Sequence, residues 1–330
     1  MPFDYRLVYP ADAIEVALPV NAELPADTAA RALAYADRVS RACAAAGVDR
    51  SAVIAAARTG VLRMAYRHGS LGTDPHAYHN QDHALELLED KLPALLAAAP
   101  LPTVEREALV LFCCTHDLRQ REVRAHDDAP IGPNEAASLA ETERLLDAVG
   151  LDDPALVTVL RFAIVGSTFA AGHHEVGQAQ GAFAHRLGPW MDAERPGWRA
   201  DPTAAEAEHL ARMAADLDTS NVASTYMDFA QSAVALAVEM QDRAGRSLDT
   251  AESGASCLAF LTEGQERYMF QLQRFASREG RAAFGMQRDA NAARVRETGR
   301  VLRERFAVGT PPPTGHDVII AFREIAGATH

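Results

Sequence analysis

Apolar residues recur three and four apart along most of this chain, and period-two alternation is confined to its first segment. In residues 1–22, Tyr5, Leu7 and Tyr9, then Ile14, Val16 and Leu18, partly alternate, which predicts an extended arm or short hairpin. Beyond it the pattern predicts helices. Asp27 or Thr28 is placed to cap one that runs to about Ala46, where Gly47 stops it, and a second runs from about Ser51 to Tyr66. Gly69, Gly72 and Pro75 mark a loop. Leu85, Leu87, Leu88, Leu92, Leu95 and Leu96 stripe the next helix, which ends before Pro100 and which Pro93 is placed to kink or divide. Thr103 is the expected N-cap of the following helix, with Glu105 and Glu107 near the positive end of its dipole. The run from Ala108 to Cys114 is apolar on every side, as a central buried helix would be, and it ends in His116-Asp117.

Residues 118–134 are polar and close with Pro130, Gly132 and Pro133, which predicts a loop over whatever His116-Asp117 contributes to. Helices are expected at about 134–149, 153–166, 202–217 and 221–244, with an irregular stretch at 170–200 where glycine, histidine, Pro189 and Pro196 collect. Residues 248–330 read as a helical extension whose charged stretch 287–306 forms a solvated face, broken at Gly309 to Pro313 before a last short helix. The expected fold class is all-α: an arm at 1–22, a helical domain at 23–245, and a helical extension at 246–330 packed on it.

A chain of 330 residues with 48% apolar and 23% charged residues is globular rather than disordered. The net charge of -13 argues against general nucleic-acid binding, which wants a basic face, but leaves room for a small anionic substrate beside a bound cation. The first residues lack the basic and apolar runs of a signal peptide, and no apolar segment is long enough to span a bilayer, so no membrane association is expected. Cys43, Cys113, Cys114 and Cys257 lack metal-type spacing and read as buried free thiols, which fits a cytoplasmic location. A homo-oligomer is left open.

The chemistry gathers at Tyr78-His79-Asn80-Gln81-Asp82-His83, His116-Asp117 and Asp216-Leu217-Asp218. His79 and His83 share a face if the segment is helical, although such a pair alone is more often coincidence. Asp117 ends a wholly apolar helix, where a carboxylate needs a partner: a divalent cation, or an ion pair with Arg119 or Arg121. Asp216 ends another amphipathic helix, where a plain helix-terminal role is the alternative. Taken in series, histidines and carboxylates on separate helices suit a metal site that activates water.

These residues carry a resemblance. The order His, His-Asp, Asp resembles the HD superfamily of metal-dependent phosphohydrolases. Tyr78-His79-Asn80-x-x-His83 is similar to the narrower signature of class I cyclic nucleotide phosphodiesterases and of a set of bacterial HD phosphohydrolases. Asn134-Glu135-x-x-Ser138 resembles an element that those bacterial proteins carry after their His-Asp, and Asp216-Leu217 resembles the closing Asp-Leu. The likeness covers roughly residues 60–240. It implies an HD-type helical bundle with His83, His116, Asp117 and Asp216 as metal ligands, Asp117 bridging to a second ion, and His79 as proton donor to the leaving oxygen. Asp216 is preferred over Asp218 because Leu217 follows it. Tyr78 and Asn80 would fix the turn and orient the histidines.

The chain departs from the pattern in two places. Gln120 stands where the phosphodiesterases carry a further histidine, and no Thr-x-x-His follows Thr168. The implied cofactor is one or two divalent ions, with manganese, iron, zinc, cobalt and magnesium all compatible with mixed nitrogen and oxygen ligands. The implied reaction is attack of metal-activated hydroxide on phosphorus in a phosphoester or phosphodiester of a nucleotide or related small metabolite. Glu135 is a candidate to keep His79 protonated. Arg119, Arg121 and Arg124 are candidate phosphate contacts, as Gln265 and Tyr268 are for a base, against the plainer readings of a solvated loop and a packing helix. His126-Asp127 reads as a solvated pair. Two other functions stay open: a di-iron oxygenase, for which His173, His174 and His209 are available, and a non-catalytic metal-binding module.

Overall fold

A computed structural model describes residues 26–72, 75–120, 122, 131–168, 181–307 and 312–328. The expected arm at 1–22 lies outside these residues, as do Arg121, Arg124, His126, Asp127, His173 and His174. Among the described residues the fold is all-α, with no strand. No described helix is long and apolar enough to cross a membrane.

The first two helices, α1 (Ala26–Ala45) and α2 (Ser51–Arg67), meet at a turn where Gly47 takes a φ of 70°. Helix α3 (Gln81–Glu86) continues through a π-helical segment, Leu87–Lys91, into α4 (Leu92–Ala98). Pro93 neither breaks nor divides this run. It has no N–H to donate and its ring crowds the carbonyl four residues back. The preceding turn absorbs this by widening, so that the Leu92 N–H reaches the Leu87 carbonyl, five residues back.

Helix α5 (Thr103–Thr115) is the central helix that its composition predicts, with every residue from Glu107 to Thr115 buried. Its N-cap is Pro102, one residue before Thr103, and Thr103 Oγ1 instead accepts a bond from Arg106 at 3.2 Å. Glu107 lies beyond the first turn and pairs with Arg50 at 2.8 Å. Helix α2 approaches α5 closely because residue 60 is glycine: a Cβ there would lie 2.4 Å from the Cys114 carbonyl oxygen. All four cysteines are buried and free.

Around α5 pack α6 (Pro133–Ala148), α7 (Pro154–Gly166) and α9 (Pro202–Asp218), and α8 (Gly181–Glu194) packs on α7. Helix α8 falls inside the stretch expected to be irregular. Leu187, Trp190 and Met191 are buried at helical spacing, and this stripe outweighs the glycines and the proline that argued for a loop. Helix α10 (Tyr226–Arg243) follows, then a run through α11 (Ala251–Ala259) and α12 (Gln265–Arg267) interleaved with two further π segments, Phe260–Gly264 and Tyr268–Leu272. The chain closes with α13 (Arg278–Arg305) and α14 (Gly315–Ala328). Helix α13 is charged on its outer side but buries Phe284, Asn291, Val295, Thr298 and Leu302 along one stripe.

A buried ionic knot sits under the end of α5. Arg63 and Arg67 of α2 bond Glu141 of α6 at 3.1 and 3.0 Å, and Arg67 also donates to the Leu118 carbonyl just past His116-Asp117. Arg63 and Glu141 each have about 1% of their side chain exposed. Removing one partner of such a buried pair leaves the other charge uncompensated, at a cost of about 3–5 kcal/mol. Glu141→Ala is therefore expected to lower the unfolding free energy by about that amount, measured by urea denaturation against wild type.

Candidate metal centre

Each group at the centre is delivered by the end of a helix. Asn80 caps α3: its Oδ1 accepts from the Asp82 N–H at 2.8 Å and its Nδ2 donates to the His76 carbonyl at 2.7 Å. His79 thus precedes the helix rather than sharing it with His83, yet the turn keeps the two rings 6.4 Å apart. Tyr78 lies 4.7 Å from the His83 ring and 4.9 Å from that of His79, wedged against both. The expectation that Tyr78 and Asn80 organise the turn agrees with these contacts. Both polar ends of Asn80 are engaged by the chain itself, which fixes the amide in place.

His83, His116 and Asp218 converge with ligand atoms all within 4.8 Å of one another, and the three could hold a metal ion. Asp218 Oδ1 lies 3.4 Å from His83 Nε2 and 3.3 Å from His116 Nε2. Asp117 Oδ2 lies 3.8 and 3.3 Å from the same two nitrogens. His116 Nδ1 is 3.0 Å from the Phe112 carbonyl, which can only accept, so this nitrogen carries the proton and Nε2 turns its lone pair inward. His116 Nε2 and Asp117 Oδ2 are buried, and despite their closeness neither makes a well-directed hydrogen bond. His83 Nε2 and Asp218 Oδ1 are within hydrogen-bond reach, but buried ligand-type atoms left without a hydrogen bond, as His116 Nε2 and Asp117 Oδ2 are, suit an ion placed between them.

The electrostatics agree. Burial pulls the His116 imidazole toward neutrality, but the charge of Asp117 and contacts with Asp117 and Asp218 push its pKa well above the ordinary histidine range. Burial raises Asp218, and the two histidines more than reverse this, holding it at about 2. Asp117 is likewise held far below its usual range against its burial, chiefly by His116. The carboxylates therefore demand positive charge at this point, which a proton or a metal ion supplies.

Asp216 does not belong to the centre. It is fully buried and faces the extension, accepting from the Ala276 N–H at 2.6 Å, the Ser277 N–H at 2.8 Å and Ser277 Oγ at 2.6 Å. Gly280 makes room for it, since a Cβ there would meet its Oδ2 at 2.2 Å. Residues two apart on a helix point about 200° apart, so only one of the two aspartates can face the histidines. Asp218 is the one that does. The preference for Asp216 is thus corrected.

The partner of His79 is Glu239 on α10, not Glu135. Glu239 Oε1 lies 2.7 Å from His79 Nδ1, and Oε2 accepts from the N–H groups of Tyr78 and His79, both at 3.0 Å. Burial lowers the His79 pKa, but the Glu239 bond and the charges of Asp117 and Glu239 prevail and raise it. Glu239 itself is driven far below its usual range, against burial, by His79 and Arg243. Glu135 is pushed up to about 7 by burial first and then by the charges of Asp117 and Asp218.

The remaining candidates divide. Asn134 and Ser138 hold the segment after His116-Asp117: Asn134 Oδ1 accepts from the Glu122 N–H and Ser138 Oγ from the Arg119 N–H, both at 3.0 Å. The Arg119 side chain bonds Glu122 at 2.8 Å rather than standing free for phosphate. Gln265 is buried. Burial raises the Tyr268 pKa, and the charge of Asp218 adds to this. His209 is half exposed and pairs with Glu279 at 3.4 Å, away from the cluster. A cleft of about 410 Å³ is lined by Tyr78 and His83 on one side, Gln231 and Ser232 on another, and Arg323 of α14. Glu239, Arg243 and the stacked buried pair His68 and His76, with ring centroids 4.4 Å apart, were missed by motif reading. Glu239 lies 160 residues from His79, and no local spacing marks it.

No protein-family model matches the chain, and no curated protein matches it. Two substitutions separate the two aspartates. Asp218→Ala is expected to abolish metal binding measured by equilibrium dialysis. Asp216→Ala should keep metal while losing about 1–3 kcal/mol of stability through orphaned buried donors, read as a lowered melting temperature.

Proposed function

We propose that this protein is a metal-dependent phosphohydrolase built on an HD-type helical bundle, cleaving a phosphoester or phosphodiester of a nucleotide or related small metabolite. One observation carries the reading: His83, His116, Asp117 and Asp218 converge from three helix ends beside a histidine, His79, that is held by a buried carboxylate. The sequence order of these residues, which resembles the HD superfamily, supports it. A divalent ion bound there supplies Lewis acidity toward phosphoryl oxygens and a water activated near neutral pH.

The chain's own groups do the rest. The Phe112 carbonyl holds His116 in the tautomer that offers Nε2. Asp117 and Asp218 bring the negative charge that retains a cation. Glu239 accepts a short hydrogen bond from His79 Nδ1–H and stabilises the imidazolium, leaving Nε2–H to donate its proton to the departing oxygen. A quarter of the His79 side chain is exposed, so substrate has access to it. Substrate phosphate, already anionic, is drawn to the cationic side of this arrangement despite the acidic protein around it.

The test is turnover of a panel of phosphoesters, including cyclic mono- and dinucleotides, by manganese-loaded protein. A protein that binds metal and cleaves none of them would sink the proposal. His79→Ala should keep its metal and lose roughly 10²–10⁴ in rate. The pH dependence has a fixed sign. His79 is active when protonated, and its pKa is raised, so the rate falls as pH climbs through that raised value. Glu239→Gln removes the charge that raises it, and the alkaline fall should move to lower pH.

A further inference from the structure

The two oxygens of Asp117 are not equivalent. Oδ2 turns toward His83 and His116, at 3.8 and 3.3 Å. Oδ1 accepts a hydrogen bond from Gln120 Nε2 at 2.8 Å. Which end of the Gln120 amide faces Asp117 follows from its other neighbours. Arg243 Nη2 lies 2.9 Å from Gln120 Oε1, and a guanidinium only donates. Asn134 Nδ2 lies 3.1 Å from the same oxygen. The Asn134 amide is oriented in turn by the Glu122 N–H, which donates to its Oδ1 at 3.0 Å. Two obligatory donors, one charged and one from the backbone, thus lock the chain of amides, and the NH₂ end of Gln120 has to face Asp117.

A carboxylate that bridges two ions offers one oxygen to each. Here the second oxygen faces an amide N–H, and that nitrogen has no lone pair to give a metal. Gln120 is buried, so the donor is not readily swung aside into solvent. The positive charge that another ion would bring is already present. Arg243 Nη2 stands 3.5 Å from His79 Nδ1 and 2.5 Å from Glu239 Oε1, and a guanidinium keeps its charge at every working pH.

We propose that the centre is mononuclear, with Gln120 capping Asp117 Oδ1 and the Arg243 guanidinium standing where a second cation would otherwise supply charge. This departs from the bridging Asp117 that the sequence resemblance implies, and it rests on the reading that His83, His116 and Asp218 hold an ion. The whole protein, stripped of metal and titrated with manganese, is assayed by equilibrium dialysis and by electron paramagnetic resonance. Wild type should take up one ion per chain and give the spectrum of isolated manganese. Gln120→Glu replaces the donor by an oxygen of the same size facing Asp117, and should admit a second ion with an exchange-coupled spectrum. Two ions in the wild type would overturn the proposal. One ion in both proteins would overturn it too, because Gln120 would not then be what excludes the second. No ion in the wild type would instead defeat the underlying metal reading, a different failure from the other two.

Discussion

Two mostly buried carboxylates, Asp117 and Asp218, lie 3.3 Å from the same imidazole nitrogen, and their charge governs the surrounding architecture. Negative charge away from water is costly unless something positive meets it. His116 answers with a strongly raised pKa, and His83 contributes from the other side. A little farther out, Gln120 and Arg243 answer Asp117 through an amide and a guanidinium. The same demand that makes the spot a candidate cation site orients the groups that flank it.

Holding such groups close takes a rigid frame, and the frame is apolar. Helix α5 is buried over its last nine residues and admits α2 at a glycine, so the His116-Asp117 end has little freedom to shift. Below it the Arg63, Arg67 and Glu141 knot grips the Leu118 carbonyl, and Asn134 and Ser138 hold the backbone at Glu122 and Arg119. The Asn-Glu-x-x-Ser element therefore acts mainly as scaffolding for the segment after the His-Asp pair.

The C-terminal helices take part in the same construction. Asp216 is captured at the start of α13 by Ala276 and Ser277. Asn291 donates to the carbonyls of Val222 and Ser224, and Tyr226 Oη bonds Thr298 Oγ1 at 2.6 Å. These bonds lie on either side of Asp218 in sequence. They set the rotation of the end of α9, and with it which aspartate meets the histidines.

The helical pattern, the buried central helix and the histidines and His-Asp pair of the centre were all legible in the chain, because each depends on neighbours within a turn or two. Periodicity reports burial, and an apolar run ending in a charged pair reports that the pair needs a partner. Three matters belonged to the tertiary structure alone. Asp216 and Asp218 differ only in helix rotation, which α13 decides from 60 residues away. Glu239 reaches His79 across 160 residues, and Gln120 meets Arg243 across 123. A hydrogen bond between distant segments leaves no spacing in the sequence. The choice among several chemically competent carboxylates and amides is made only where packing brings one of them within 3 Å or so of its partner.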